Sequence, residues 1–207
     1  MLPLEILKRI LHPNIIVTQD TSNPEISKVT LKENDGSSKI KPICLSLPVE
    51  SIVFKFDEPY TLNAPISINE NSKKCFQWKS AFLNPSEDNI HKGCDYVIYC
   101  RYKMKDWFVL VELKSHDLSG ARSQLRSSAI WIRYLREWIY FYNGNTEKFN
   151  MAFVCFHARE GKRAKEPGAD TYSQYRQPIP NIVYYQIPQR EDFFIERFFG
   201  LLSKSAQ

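Results

Sequence analysis

Two apolar runs joined by a few polar residues constrain the fold of this chain more than any other feature. The runs are CDYVIYCRY (94–102) and WFVLVELK (107–114), and KMKD (103–106) joins them. Short runs of β-branched and aromatic residues around a brief polar turn predict an antiparallel β-hairpin. A helical pattern follows from about Leu118 to Tyr142, with Asp117 as its predicted N-cap, and two more strand patterns come after it, FNMAFVCFH (149–157) and NIVYYQI (181–187). This order predicts a mixed α/β (α+β) domain in which helices pack on a sheet.

The two ends of the chain add further elements to this core. A short amphipathic helix, MLPLEILKRIL (1–11), is followed by four strand patterns: NIIVTQD (14–20), ISKVTLKE (26–33), IKPICLSL (40–47) and SIVFKF (51–56). The chain closes with REDFFIERFFGLLSK (190–204), whose pattern predicts an amphipathic helix. For 207 residues we expect one domain, with a strand-rich part over 1–70 and a core over 71–207.

Composition and cysteine usage exclude several classes of protein. No stretch approaches the roughly 20 consecutive apolar residues of a membrane span, so no membrane partner is expected. The five cysteines show no framework spacing and predict reduced thiols in a cytoplasmic protein. The chain has neither a C-x-x-C pair for zinc nor a glycine-rich nucleotide loop. The formal net charge of +5 permits an anionic partner without requiring one.

Charged residues collect at one end of the predicted hairpin. Side chains alternate along a strand, so Glu112 and Lys114 point to the same face. If Tyr102 pairs with Trp107 across the turn, Asp95 lies opposite Lys114 and shares that face. The pattern therefore predicts two carboxylates and one ammonium at the edge of two apolar strands.

Such charges are costly to bury unless they are paired or bind a metal. The carboxylates of Asp95 and Glu112, with the backbone carbonyl of Leu113, are oxygen ligands that suit Mg²⁺. The Lys114 ammonium could orient a water molecule or stabilise developing negative charge. A simple strand-end ion pair, with Asp95 capping a turn, would use the same residues.

The run CDYVIYC…WFVLVELKSHDLSGARSQL resembles the core of the PD-(D/E)XK nuclease superfamily over roughly residues 90–157. In that superfamily an acidic residue on one strand precedes E-x-K on the next, and a helix and a further strand follow. The resemblance implies that Asp95 and Glu112 bind metal and that Lys114 is catalytic. Gln124 resembles the glutamine that some branches place near the site. Cys94 stands where many members have proline, and Ser128 stands where some branches have tyrosine.

This resemblance implies a restriction-endonuclease-like fold and a metal-dependent nuclease, with Mg²⁺ as the cofactor and Mn²⁺ as its substitute. The expected substrate is DNA, and a role in restriction or defence against foreign DNA follows from the resemblance alone. Cutting both strands would call for a homodimer, and translocation would call for a partner protein. The alternative is a catalytically silent domain with a nuclease-like fold that binds nucleic acid or another protein.

Basic residues form two candidate nucleic-acid contacts. On the long helix, Arg122, Arg126, Arg133 and Arg136 fall within a stripe about 80° wide and could contact phosphates, although a solvated face would look the same. The opposite side predicts the buried face of the helix: Leu125, Trp131, Ile132, Leu135, Trp138 and Ile139. The polar loop 158–180 adds Arg159, Lys162 and Arg163, and plain disorder is the alternative there.

Overall fold

The computed structural model describes residues 2–33, 40–56, 92–114, 120–144, 149–157, 182–186 and 192–195. Their regular elements are, in chain order, α1 (Pro3–Ile10), β1 (Ile26–Leu31), β2 (Ile43–Pro48), β3 (Ser51–Lys55), β4 (Tyr96–Tyr102), β5 (Lys105–Lys114), α2 (Ala121–Asn143), β6 (Asn150–His157), β7 (Ile182–Gln186) and β8 (Asp192–Phe194). The predicted mixed α/β class is confirmed for this part of the chain.

Five strands form the main sheet in the order β3-β4-β5-β6-β7. The pairs β3–β4 and β4–β5 are antiparallel, whereas the pairs β5–β6 and β6–β7 are parallel. Parallel neighbours need a long crossover, and α2 provides it between β5 and β6. The central strand β5 is buried from Phe108 to Leu113, as expected for a strand covered on both faces.

Each face of the main sheet packs against a different layer. A small sheet, in the order β1-β2-β8, covers one face through a core that includes Leu31, Leu45 and Val111. The two helices cover the other face through a second core that includes Leu7 and Leu125. The sheet was predicted to be flanked by helices. Among the described residues both helices lie on one face, and the small sheet occupies the other.

Two outer segments differ from the strand and helix patterns read from the sequence. The predicted strand NIIVTQD is instead a 3₁₀ turn, Pro13–Ile15, followed by isolated bridges at Ile16 and Asp20. Pro13 favours this turn because its ring fixes φ and removes a backbone donor. The predicted C-terminal helix begins as strand β8, which pairs parallel with β2. Residues 196–204 of that segment lie outside the described residues.

Four of the five cysteines lie among the described residues, and the expectation of a cytoplasmic protein stays a prediction. Cys44, Cys94, Cys100 and Cys155 are present as thiols, and Cys75 lies outside the described residues. Neither of the described helices is both long and apolar enough to cross a membrane.

Candidate active site at the end of the central hairpin

The β4–β5 hairpin is confirmed, but its register differs by two residues from the prediction. Tyr102 pairs with Lys105 and not with Trp107, so only Lys103 and Met104 form the turn. Both turn residues have positive φ, 49° and 60°. Such a two-residue turn matches the twist of the flanking strands, which is why the hairpin closes more tightly than predicted.

A shift of two residues leaves the predicted site on one face of the sheet. Continuing the ladder one residue beyond its last pair places Asp95 opposite Glu112, not opposite Lys114. Since side chains alternate with a period of two, the shift does not move any of the three to the other face. That face is the one covered by α1 and α2.

Glu112 and Lys114 form an ion pair in which Nζ lies 2.7 Å from Oε1. The Glu112 side chain is 1% exposed, whereas that of Lys114 is 22% exposed and reaches solvent. Burial lowers the pKa of Lys114, but the hydrogen bond and charge of Glu112 and the charge of Asp95 outweigh it, so this pKa is raised. The ammonium therefore stays charged at neutral pH and offsets a deeply buried carboxylate.

Asp95 is held by the main chain of the neighbouring strands. Its Oδ2 accepts a hydrogen bond of 2.6 Å from the Leu113 N–H. Its own carbonyl accepts one of 3.0 Å from the Phe56 N–H. Because the N–H and C=O of a strand residue point toward the same neighbour, the Leu113 carbonyl is also directed toward the Asp95 side. The three groups predicted as metal ligands therefore lie where β4 begins and β5 ends.

Helix α2 brings Gln124 to the same place. Its Oε1 accepts a hydrogen bond of 2.7 Å from Lys114 Nζ, and its Nε2 donates one of 3.3 Å to the Gly93 carbonyl. The helix begins after Gly120, whose φ of 80° suits glycine, so the predicted N-cap Asp117 is wrong; Asp117 itself lies outside the described residues. Gln124 thus links the ammonium on β5 to the backbone just before β4.

Ser128 is a site residue that the sequence reasoning did not assign. Its buried hydroxyl accepts a hydrogen bond of 2.7 Å from the Cys94 N–H and donates one of 2.8 Å to the Gln124 carbonyl. These two hydrogen bonds connect Cys94, the residue before Asp95, to α2. A small hydroxyl residue one helical turn after Gln124, on the buried side of the helix, was the available signal.

Cys155 is the second residue that the sequence reasoning missed. It lies on β6, directly opposite Glu112 in the parallel ladder. Burial, and then the negative charge of Glu112, raise the pKa of the Cys155 thiol to about 12. A thiol with this pKa is protonated at neutral pH and is a poor nucleophile in that form.

The predicted arginine contacts lie away from these residues. At 100° per residue, Arg133 is about 180° from Gln124 around α2, and Arg122 and Arg126 are about 160° from it. Arg126 and Arg133 are exposed, and Arg122 is half-buried. The flank of α2 that carries Gln124 therefore faces the catalytic candidates on the strands, and these arginines lie on the opposite flank.

Arg136 and Trp138 are two more residues of α2 that the sequence analysis assigned to a face of the helix, Arg136 to the arginine stripe and Trp138 to the buried side. Arg136 forms an ion pair with the neighbouring Glu137, with Nη2 2.6 Å from Oε1. Trp138 is 41% exposed and does not belong to the buried face, which includes Leu125, Ile132 and Ile139. The loop residues Arg159, Lys162 and Arg163 lie outside the described residues.

The described residues contain no group of three or more His, Cys, Asp or Glu side chains that could hold a metal ion. The predicted ligand set is smaller, since it has two carboxylates and one carbonyl. Mg²⁺ commonly binds to one or two carboxylates and completes its shell with water and substrate oxygens. The donor set at Asp95, Glu112 and Leu113 fits that type of site.

Comparisons with known proteins add no family to this description. The chain matches no family model, no curated protein and no solved structure. Its resemblance to the PD-(D/E)XK superfamily rests on the residues quoted above and stays a prediction.

Proposed function

We propose that this chain is a metal-dependent nuclease with a restriction-endonuclease-like fold that hydrolyses phosphodiester bonds in DNA. The observation that carries the proposal is the convergence at Lys114, whose Nζ lies 2.7 Å from Glu112 Oε1 and 2.7 Å from Gln124 Oε1. Asp95 shares the same face of the hairpin. An acidic pair that would hold a divalent cation, beside a fixed ammonium and open to solvent on one side, suits the binding of a phosphate group.

Asp95, Glu112 and the Leu113 carbonyl would hold the cation, because these hard oxygen donors are the ligands that Mg²⁺ and Mn²⁺ prefer. When bound, the cation supplies positive charge that lowers the pKa of water and offsets charge on the phosphate. The buried carboxylate of Glu112 favours this role, since a second positive charge beside it would add to the compensation that Lys114 provides.

In this proposal Lys114 acts as a hydrogen-bond donor that carries a positive charge. Its raised pKa keeps it protonated at neutral pH, so it does not remove a proton from water. Its partial exposure allows the ammonium to donate hydrogen bonds to a water molecule or to a phosphate oxygen. Gln124 fixes the position of Nζ, and a fixed donor needs no reorganisation as negative charge develops.

The test is cleavage of supercoiled plasmid and of single-stranded circular DNA by the purified full chain with Mg²⁺, with Mn²⁺ or with EDTA. Asp95→Asn and Glu112→Gln remove one carboxylate charge each with little change in shape. Glu50→Gln is the matched control, because Glu50 is an exposed carboxylate between β2 and β3. Thermal melting by circular dichroism establishes that each variant folds.

We expect nicking or cutting that requires a divalent cation, is lost in both site variants and is kept in the control. Cutting in EDTA, or equal cutting by every variant, would contradict the proposal. So would a folded wild-type chain that cuts neither DNA nor RNA and shows no heat of Mg²⁺ or Mn²⁺ binding. That last result would favour the catalytically silent domain.

A further inference from the structure

A row of aromatic side chains continues the flank of α2 that carries Gln124. Trp131, Trp138 and Tyr142 follow Gln124 by 7, 14 and 18 residues. At 100° per residue, all three lie within about 40° of Gln124 around the helix. With a rise of 1.5 Å per residue, the row runs from about 10 Å to about 27 Å beyond Gln124. We call these three rings the aromatic stripe.

Two rings of the aromatic stripe, those of Trp138 and Tyr142, are exposed, whereas that of Trp131 is half-buried. Trp138 is 41% exposed and Tyr142 is 46% exposed. These two rings stack with their centroids 6.4 Å apart and their planes at 28°. Tyr134 contacts both tryptophans edge to face, at 6.1 Å from Trp131 and 6.2 Å from Trp138. Contiguous exposed aromatic surface commonly marks a binding site, because large rings gain most from being covered.

A positive charge stands at each end of the aromatic stripe. The Lys114 ammonium is bound to Gln124 at the end near the candidate active site. The exposed Arg9 guanidinium lies over the Tyr142 ring, 5.7 Å from its centroid, at the other end. A ligand that complements this surface has flat apolar groups to stack on the rings and negative charges to meet the cations. Single-stranded nucleic acid has both.

We propose that the aromatic stripe binds single-stranded DNA and leads it to Lys114. A single strand fits because its unpaired bases can stack on protein rings, whereas those of a duplex are stacked on one another. The strand is DNA because the site at Lys114, to which the stripe leads, is the one proposed to hydrolyse DNA. The inference rests on the proposed function, since the site at Lys114 gives the strand its destination, and it narrows the substrate to single strands.

The experiment measures the fluorescence anisotropy of a labelled oligo(dT) of 16 nucleotides with the full chain in EDTA, where the proposed cutting cannot occur. We expect Trp138→Ala and Tyr142→Ala each to weaken binding about tenfold, a typical loss for one stacking ring. Trp138→Phe keeps a ring and should bind within about threefold of the wild type. Tyr140→Ala is the control, because Tyr140 is 43% exposed but lies about 160° from Gln124.

Four results would overturn the inference, each with melting temperatures showing folded variants. They are an equal loss in Tyr140→Ala, equal affinity for duplex of the same length, tighter binding of oligo(rU), and no binding by the wild type. A fifth refuting result would come from light scattering. If the wild type is a dimer and Trp138→Ala is a monomer with unchanged DNA affinity, the stripe is a self-association surface. If the ring variants lose binding but the wild type shows no cation-dependent cutting, only the proposed function is refuted. If the wild type cuts DNA but the ring variants bind it equally well, only this inference is refuted.

Discussion

Replacing Lys114 with methionine isolates the energy of the buried charge at the candidate site. Methionine keeps most of the apolar stem and removes the ammonium that lies 2.7 Å from Glu112. Removing one partner of a buried ion pair costs about 3–5 kcal/mol, because the other charge stays buried and uncompensated. Glu112 is 1% exposed, but Lys114 is 22% exposed and water weakens its part of the interaction. We therefore expect a loss near the lower end, about 3 kcal/mol in the free energy of unfolding.

The assay is urea unfolding at pH 7 in EDTA, repeated in a Glu112→Gln background. With the carboxylate neutral, Lys114→Met should cost less than about 1 kcal/mol, so the double-mutant cycle reports a coupling of about 2 kcal/mol. Lys105→Met, at the exposed start of β5, is the control and should change stability by no more than about 0.5 kcal/mol. A cost under about 1 kcal/mol for Lys114→Met, or equal costs in the two backgrounds, would refute the reasoning and indicate an ordinary surface pair.

The same pair predicts a dependence on alkaline pH. The pKa of Lys114 in the folded chain is raised above its ordinary 10.5. The ammonium's contribution is therefore fully present below pH 10.5 and is lost as the pH rises through the raised value. The difference in unfolding free energy between the wild type and Lys114→Met should hold from pH 7 to 10 and shrink above 10.5. A difference that stays constant as the pH rises well above 10.5 would contradict this account.

Three further predictions concern the central hairpin and the residues next to the site. Ser128→Ala removes the hydroxyl that accepts from the buried Cys94 N–H, so it should lower the free energy of unfolding in urea by about 1–3 kcal/mol. Its control is Ser123→Ala, which removes an exposed hydroxyl hydrogen bond on the same helix and should change that free energy by no more than about 0.5 kcal/mol. Met104→Gly relieves a left-handed residue in the hairpin turn and should raise the unfolding free energy by about 0.5 kcal/mol; a loss would contradict the turn geometry. Iodoacetamide at pH 8, followed by peptide mass spectrometry, should leave Cys155 unmodified in the folded chain because its pKa is about 12, while the half-buried Cys44 reacts before it.

The central elements could be predicted because their signals are local and strong. The apolar runs of β4, β5 and β6 are long enough to be recognised as buried strands, and Gly144, with a φ of 67°, ends α2 where the NGN sequence predicts a stop. The shared face of Asp95, Glu112 and Lys114 follows from strand alternation alone, so it survived an error in the register. Features that depend on a period are therefore predictable even when an exact pairing is not.

The hairpin register could not be predicted because its turn lacks the usual residues. Two-residue turns with positive φ favour Asn-Gly or Asp-Gly, and here Lys103 and Met104 occupy those positions. The strand β8 was missed for another reason. Its helical pattern is overridden where Asp192–Phe194 pair with the edge of β2, a contact with a distant part of the chain.

Ser128 and Cys155 escaped the sequence reasoning because their roles exist only in three dimensions. Each is separated from its site partner by more than 30 residues along the chain, Ser128 from Cys94 and Cys155 from Glu112. A buried serine or cysteine ordinarily needs no functional explanation, since both residues occur in cores. Only the packing of α2 against the start of β4, and the parallel ladder between β5 and β6, assign them to the site.

The geometry of α2 decides how the proposed substrate contacts can be combined. Gln124 and the aromatic stripe share one flank, while Arg126 and Arg133 lie about 160–180° away on the other. A helix with its side chains is about 10–12 Å across, so a strand stacked on the rings lies on the far side of the helix from these arginines. The arginines then add attraction for a polyanion through their field or hold a second segment of nucleic acid. In the proposal the stripe both positions the bases near the candidate active site and adds to affinity, whereas the arginines on the other flank add to affinity alone.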